Sequence, residues 1–129
     1  METNFKKSCA LAVLSSALLA SGCATLSPGE VSYQALHAVD VAQTVEIARN
    51  PARFQEVDMG TRALIGEHPS VGGVLAWGVA NAVGHYAIDD YLYSHNHPKL
   101  ALFFESASVA FVADTVHNNY KIGLGYGFR

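Results

Sequence analysis

The chain has 129 residues, half of them hydrophobic, with eight Lys or Arg against eleven Asp or Glu and only two cysteines. That length supports one small domain, and the acidic balance argues against nucleic acid as a partner. Two cysteines allow at most one disulfide, so stability has to come mainly from burial. At the N-terminus, Lys6 and Lys7 precede an apolar stretch over residues 9–20 (CALAVLSSALLA). A positive segment, about a dozen apolar residues and then small residues are the parts of an export signal. The stretch is shorter than the ~20 residues an ordinary transmembrane helix needs.

The run Leu18-Leu19-Ala20-Ser21-Gly22-Cys23 resembles the lipobox of a bacterial lipoprotein. The resemblance implies that residues 1–22 are removed as a signal peptide and that Cys23 becomes the first mature residue and carries the lipid. Ala20 departs from the aliphatic residue usual at its position. Ala24, rather than Asp, implies sorting to the periplasmic face of the outer membrane instead of retention at the inner membrane. Cleavage takes away Glu2, Lys6 and Lys7 and leaves six basic against ten acidic residues, a formal charge of −4. Cys9 leaves with the signal and Cys23 is thioether-linked, so no free thiol remains for catalysis.

Residues 23–30 read as a lipidated tether with Ser27, Pro28 and Gly29. Residues 31–49 predict a first helix ended by Asn50-Pro51; its valines and isoleucine spread round the wheel, so it is either covered on several sides or partly faces lipid. Asp58 is a suitable cap for a short helix that Gly66 stops after Ile65. Ser70 caps a long helix to about Tyr93, whose residues 71–88 contain no Lys, Arg, Asp or Glu. Ala76, Ala80 and Gly84 form a small-residue ridge on it, which permits close helix approach. Asn81, His85 and Asp89-Asp90 weigh against insertion, and the expectation is a helix buried in the bundle. Residues 94–98 (SHNHP) break the chain before a last helix to residue 118. The tail then alternates, with Tyr120, Ile122, Leu124, Tyr126 and Phe128 against Gly123, Gly125 and Gly127, a period-two strand pattern. The expected fold is all-α: a small bundle of three long helices and one short helix over residues 31–119, with an extended glycine/aromatic arm over 120–129.

Three helices each carry an acid–histidine pair at helical spacing: His37 with Asp40, His85 with Asp89, and Asp114 with His117. Residues three or four apart share a face, and imidazoles with carboxylates suit zinc or a similar divalent metal. The plainer alternative is that each pair is a local hydrogen bond satisfying a half-buried histidine. His95 and His97 lie in a loop, where metal capture is adventitious. No serine has a Gly-x-Ser-x-Gly setting, and Gly72-Gly73 lacks the fingerprint of a phosphate cradle.

The segments Ala35-Leu36-His37-Ala38-Val39-Asp40-Val41-Ala42-Gln43-Thr44, Glu56-Val57-Asp58, Leu64-Ile65-Gly66-Glu67-His68-Pro69-Ser70 and His117-Asn118-Asn119-Tyr120-Lys121-Ile122-Gly123 together resemble a group of small uncharacterised bacterial and prophage lipoproteins. The succession Asp40, Thr44, Glu56, Pro69 is more loosely similar to small uncharacterised membrane proteins. The resemblance implies a lipidated helical protein without an assigned reaction, and it groups Asp40, Gln43, Thr44, Glu56 and His117 as one polar network. The expected function is non-enzymatic: a membrane-anchored envelope lipoprotein acting through an envelope protein partner, with no cofactor. A zinc-type metal site and an integral membrane component are the alternatives.

Overall fold

The computed structural model describes residues 26–125, in which all regular structure is helical. Helix α1 spans Pro28–Arg49, α2 Met59–Ile65, α3 Val71–Ser94 and α4 Pro98–Lys121. Cys23, the segment expected to be a signal peptide and the tail beyond residue 125 lie outside the described residues.

Local chemistry sets the helix ends. Ser27 accepts the Glu30 N–H at 3.0 Å and Pro28 occupies the first turn, where a missing N–H is harmless. The first helix thus begins three residues before the position expected from sequence and takes in the end of the presumed tether. Asp58 caps α2 through the Thr61 N–H at 2.8 Å, and Gly66 ends it at φ 89°. Ser70 caps α3 through the Gly73 N–H at 3.0 Å.

The tail departs from the strand pattern. Tyr120 and Lys121 belong to α4, and Gly123 follows at φ 93°. The Leu124 N–H bonds Asn119 O at 3.1 Å and the Gly123 N–H bonds Tyr120 O at 3.0 Å. This pair of bonds is a Schellman stop, and it turns Leu124 into a fully buried position. Over residues 120–125 the alternation of glycine and apolar residues reflects a left-handed cap and not a strand. Gly123→Ala is expected to cost about 1–2 kcal/mol, the penalty of a Cβ in the left-handed region. Thermal unfolding checks it; a neutral result would mean the cap is not formed.

Helix α1 is the central element, packed on both α3 and α4, while α2 touches only α3. Gln34 Nε2 donates to Ala82 O at 2.9 Å, and His37 Nε2 bonds Gly78 O at 2.9 Å. As α1 advances its partners on α3 recede, so the two are antiparallel. Along α4 the order is the same as along α1: Ser27 meets Glu105, and Gln43 meets Val116. The bundle therefore has two ends. One holds the start of α1 and the turn at residues 95–97; the other holds α2 and the ends of α1 and α4.

The apolar core is small. Tyr33, Val112 and Val116 form its centre, with Leu36, Val39 and Val109 against them. Gly78 lets α1 and α3 approach, because a Cβ there would stand 2.7 Å from Val41 Cγ2. The Ala76/Ala80/Gly84 ridge is on another side of α3 and lines an open groove whose other walls include Tyr33 of α1, Leu64 and Ile65 of α2 and Phe104 of α4. The expectation that α3 is a buried helix is not met: 17% of its most apolar 18-residue window is buried.

Candidate functional site

The interior that α1 shares with α3 and α4 is rich in polar groups. Glu30, His37, Asp40, Gln43, Thr44, His85, Asp89 and Glu105 are all buried there, and Glu56 is buried beside α1's far end. Carboxylates are almost never fully buried unless paired, so their partners define what this interior does.

The first layer lies near the start of α1. Glu30 is fully buried; Gln34 Nε2 donates to its Oε1 at 2.6 Å, and its Oε2 meets His85 Nδ1 at 2.5 Å. The His85 ring is held between Tyr33, at 3.4 Å between centroids, and Phe104, at 4.4 Å. Ser27 donates its hydroxyl to Glu105, and Asp89 stands beside Glu105. Gly29 makes this possible, because a Cβ there would lie 2.8 Å from Glu105 Cβ. His85 Nε2 and Asp89 Oδ1 are buried without a hydrogen-bond partner among the described residues. Along one side of the layer runs a groove of about 740 Å³, floored by Ala76, Ala80 and Gly84 and walled by Tyr33, Trp77 and Phe104.

About two turns beyond Glu30 along α1, His37 bonds Gly78 O and meets the Trp77 ring edge-on at 5.4 Å. The next layer joins α1 to the end of α4. Asn119 Nδ2 donates to Gln43 Oε1 at 3.1 Å and lies 3.4 Å from Asp40 Oδ1. Gln43 Nε2 in turn reaches Val116 O at 3.3 Å, and Thr44 donates back to Asp40 O at 2.9 Å. Glu56 accepts the Asp58 N–H at 3.0 Å, and its own N–H bonds Glu67 O at 2.9 Å. Burial pushes the Glu56 carboxyl above the ordinary glutamate range; the Asp58 N–H opposes that and the Asp58 charge adds to it. Both bonds lie within residues 56–67 and close that segment on itself.

Four of the six residues proposed as a metal set, His37, Asp40, His85 and Asp89, are buried. Asp114 and His117 are not with them: both are exposed on α4, and Asp114 accepts from Asn118 Nδ2 at 3.0 Å. The inward face of α4 runs through Ala101, Glu105, Val112 and Val116. Helical spacing puts Asp114 and His117 on one face, but that face is turned outward. Of the buried four, His37 is committed to a carbonyl and His85 to Glu30. Among the described residues no three His, Cys, Asp or Glu side chains converge so as to hold a metal ion. The six-residue set is not assembled.

The proposed polar network is assembled in part. Asp40, Gln43 and Thr44 are linked on α1, and Glu56 is buried close to Asp40. His117 is outside, and Asn119 takes its place two residues later. Residues not expected from sequence are Ser27, Glu30, Glu105 and Asn119. A signal for two of them exists: Ser27-Pro28-Gly29-Glu30 has the spacing of a capping box, which marks a helix start rather than a tether. No family model, curated protein or solved structure matches this chain.

Proposed function

We propose that this chain is a lipid-anchored helical protein embedded in a bacterial membrane, acting through contacts there rather than by catalysis. One observation carries this reading: the polarity of the bundle is inverted, with carboxylates and amides inside and large apolar side chains outside. Val79, Val83, Ile88, Leu100, Leu102, Phe103 and Phe111 are all exposed by 45% or more. A water-facing surface seldom carries so many large exposed apolar residues, whereas lipid requires them.

The apolar surface lies mainly on α3 and α4; on α1, Val31 is the one large apolar side chain exposed among the described residues. Residues 71–88 of α3 carry no charge, and in residues 100–113 of α4 and 31–45 of α1 the only charged groups, Glu105 and Asp40, are buried. At 1.5 Å per residue these stretches are about 27, 21 and 22 Å long, against a hydrocarbon thickness of ~30 Å. Helices α3 and α4 are each long and apolar enough to cross a membrane. Tyr91 and Tyr93 at one end of this surface and Tyr120 at the other are exposed, in keeping with the aromatic residues enriched at membrane interfaces. The Ala76/Ala80/Gly84 ridge then faces the bilayer plane, where a helix of another protein can pack closely.

A Cys23→Ser variant exported by an unrelated signal peptide tests the reading. It removes the lipid but not the apolar surface, so the protein is expected to stay with the membrane through carbonate extraction. Release into the soluble fraction would show that the lipid alone held it.

A further inference from the structure

From this embedded reading, on which the following rests, we infer that the bundle crosses the inner membrane in one orientation, with the α2 end in the cytoplasm and the turn at residues 95–97 on the outer side. Because α1 and α4 are parallel and α3 runs against them, every connection is assigned to one end or the other. Among the described residues, four exposed basic ones, Arg49, Arg53, Arg62 and Lys121, collect at the α2 end, and only Lys99 lies at the other. Both described connections are short, of the length over which Lys and Arg set topology. The rule counts basic residues near the span and gives acidic ones little weight, so the ion pair of Arg62 with Glu67 does not alter it. Its physical origin is the anionic inner leaflet and the membrane potential, both of which hold cations on the cytoplasmic side.

The N-terminal segment leads independently to the same orientation. Lys6 and Lys7 hold the start of an export signal inside, which delivers residue 23 to the outer side. Helix α1 begins five residues later, at Pro28, and runs from the end opposite α2. A chain of five residues reaches at most about 18 Å, so α1 must start near the outer surface and travel inward. A protein whose helices cross the inner membrane in this way is retained there, in place of the outer-membrane destination that Ala24 implies.

Two full-length variants test the orientation, Ala52→Cys near the α2 end and His97→Cys in the opposite turn; both positions are exposed. Each is treated in intact spheroplasts, and again after lysis, with a membrane-impermeant maleimide, and the labelled site is located by peptide mapping. His97→Cys is expected to react in intact spheroplasts and Ala52→Cys only after lysis. The reverse pattern overturns the orientation while leaving the bundle embedded. Reaction of both in intact spheroplasts, or of neither before lysis, overturns the orientation and the embedding together.

Discussion

Glu30→Ala is expected to destabilise the bundle by about 3 kcal/mol, where the ranges for hydrogen bonds to charged groups and for broken buried pairs meet. Glu30 has no exposed surface and both its oxygens are engaged, one by Gln34 and one by His85. Truncation leaves His85 Nδ1 without its partner in a ring whose Nε2 already has none. It also opens a void between Ser27 and the stacked rings of Tyr33 and His85, which the neighbouring helices cannot easily fill. Gln34 suffers less, since it keeps its second bond to Ala82 O. Because the loss is mostly the stranded partner, His85→Ala should cost a similar amount and the double variant far less than the two together. Denaturant unfolding in detergent, followed by helical circular dichroism, measures all three. Additive losses would show that the Glu30–His85 contact contributes nothing of its own.

Gly78→Val is the second large effect, expected near the upper end of the roughly 1–3 kcal/mol typical of overpacking. A Cβ at this position meets both Val41 methyls, at 2.7 and 3.1 Å. Val41 is itself buried, and a β-branched side chain in a helix has little rotamer freedom, so it cannot turn away. Relief requires α1 and α3 to separate, which would also stretch the bond from His37 to Gly78 O. Gly78→Ala should cost less, because alanine's better helix propensity returns about 1 kcal/mol. Shortening the obstacle tests the cause: Val41→Ala, harmful alone through its cavity, should restore much of the stability lost in Gly78→Val. A valine at 78 that is tolerated, or a pair that shows no rescue, would place the helices further apart.

These two sites differ in how visible they are in the chain itself. Gly78 is one of four glycines within α3, with Gly72, Gly73 and Gly84; nothing near it in the sequence distinguishes it from Gly72, whose added Cβ would meet nothing within 4 Å. Glu30 sits in a stretch with the composition of a linker, yet Ser27 and Pro28 already mark a helix start. His85 and Asp89 are recognisable as a pair four apart, but their acidic companions are Glu30 on α1, 55 positions from His85, and Glu105 on α4, 16 positions from Asp89.

What the amino-acid order determines by itself is local: Asp58, Gly66 and Ser70 bound α2 and α3, and the polar break at 94–98 separates α3 from α4. Caps and stops act through hydrogen bonds within a few residues, so they can be read without knowing the fold. Which side of each helix turns inward was decided only in three dimensions. Asp114 with His117 and Glu105 with Asn119 are equally plausible inward groups on α4 until α1 is in place. The same holds for the tail, where a glycine at every second position fits a strand, and only the bonds from Gly123 and Leu124 back to Tyr120 and Asn119 make it a helix stop. Periodicity tells which residues share a face; the surroundings decide whether that face meets protein, water or lipid. In this bundle the polar faces meet one another, and large apolar side chains are left on the outside.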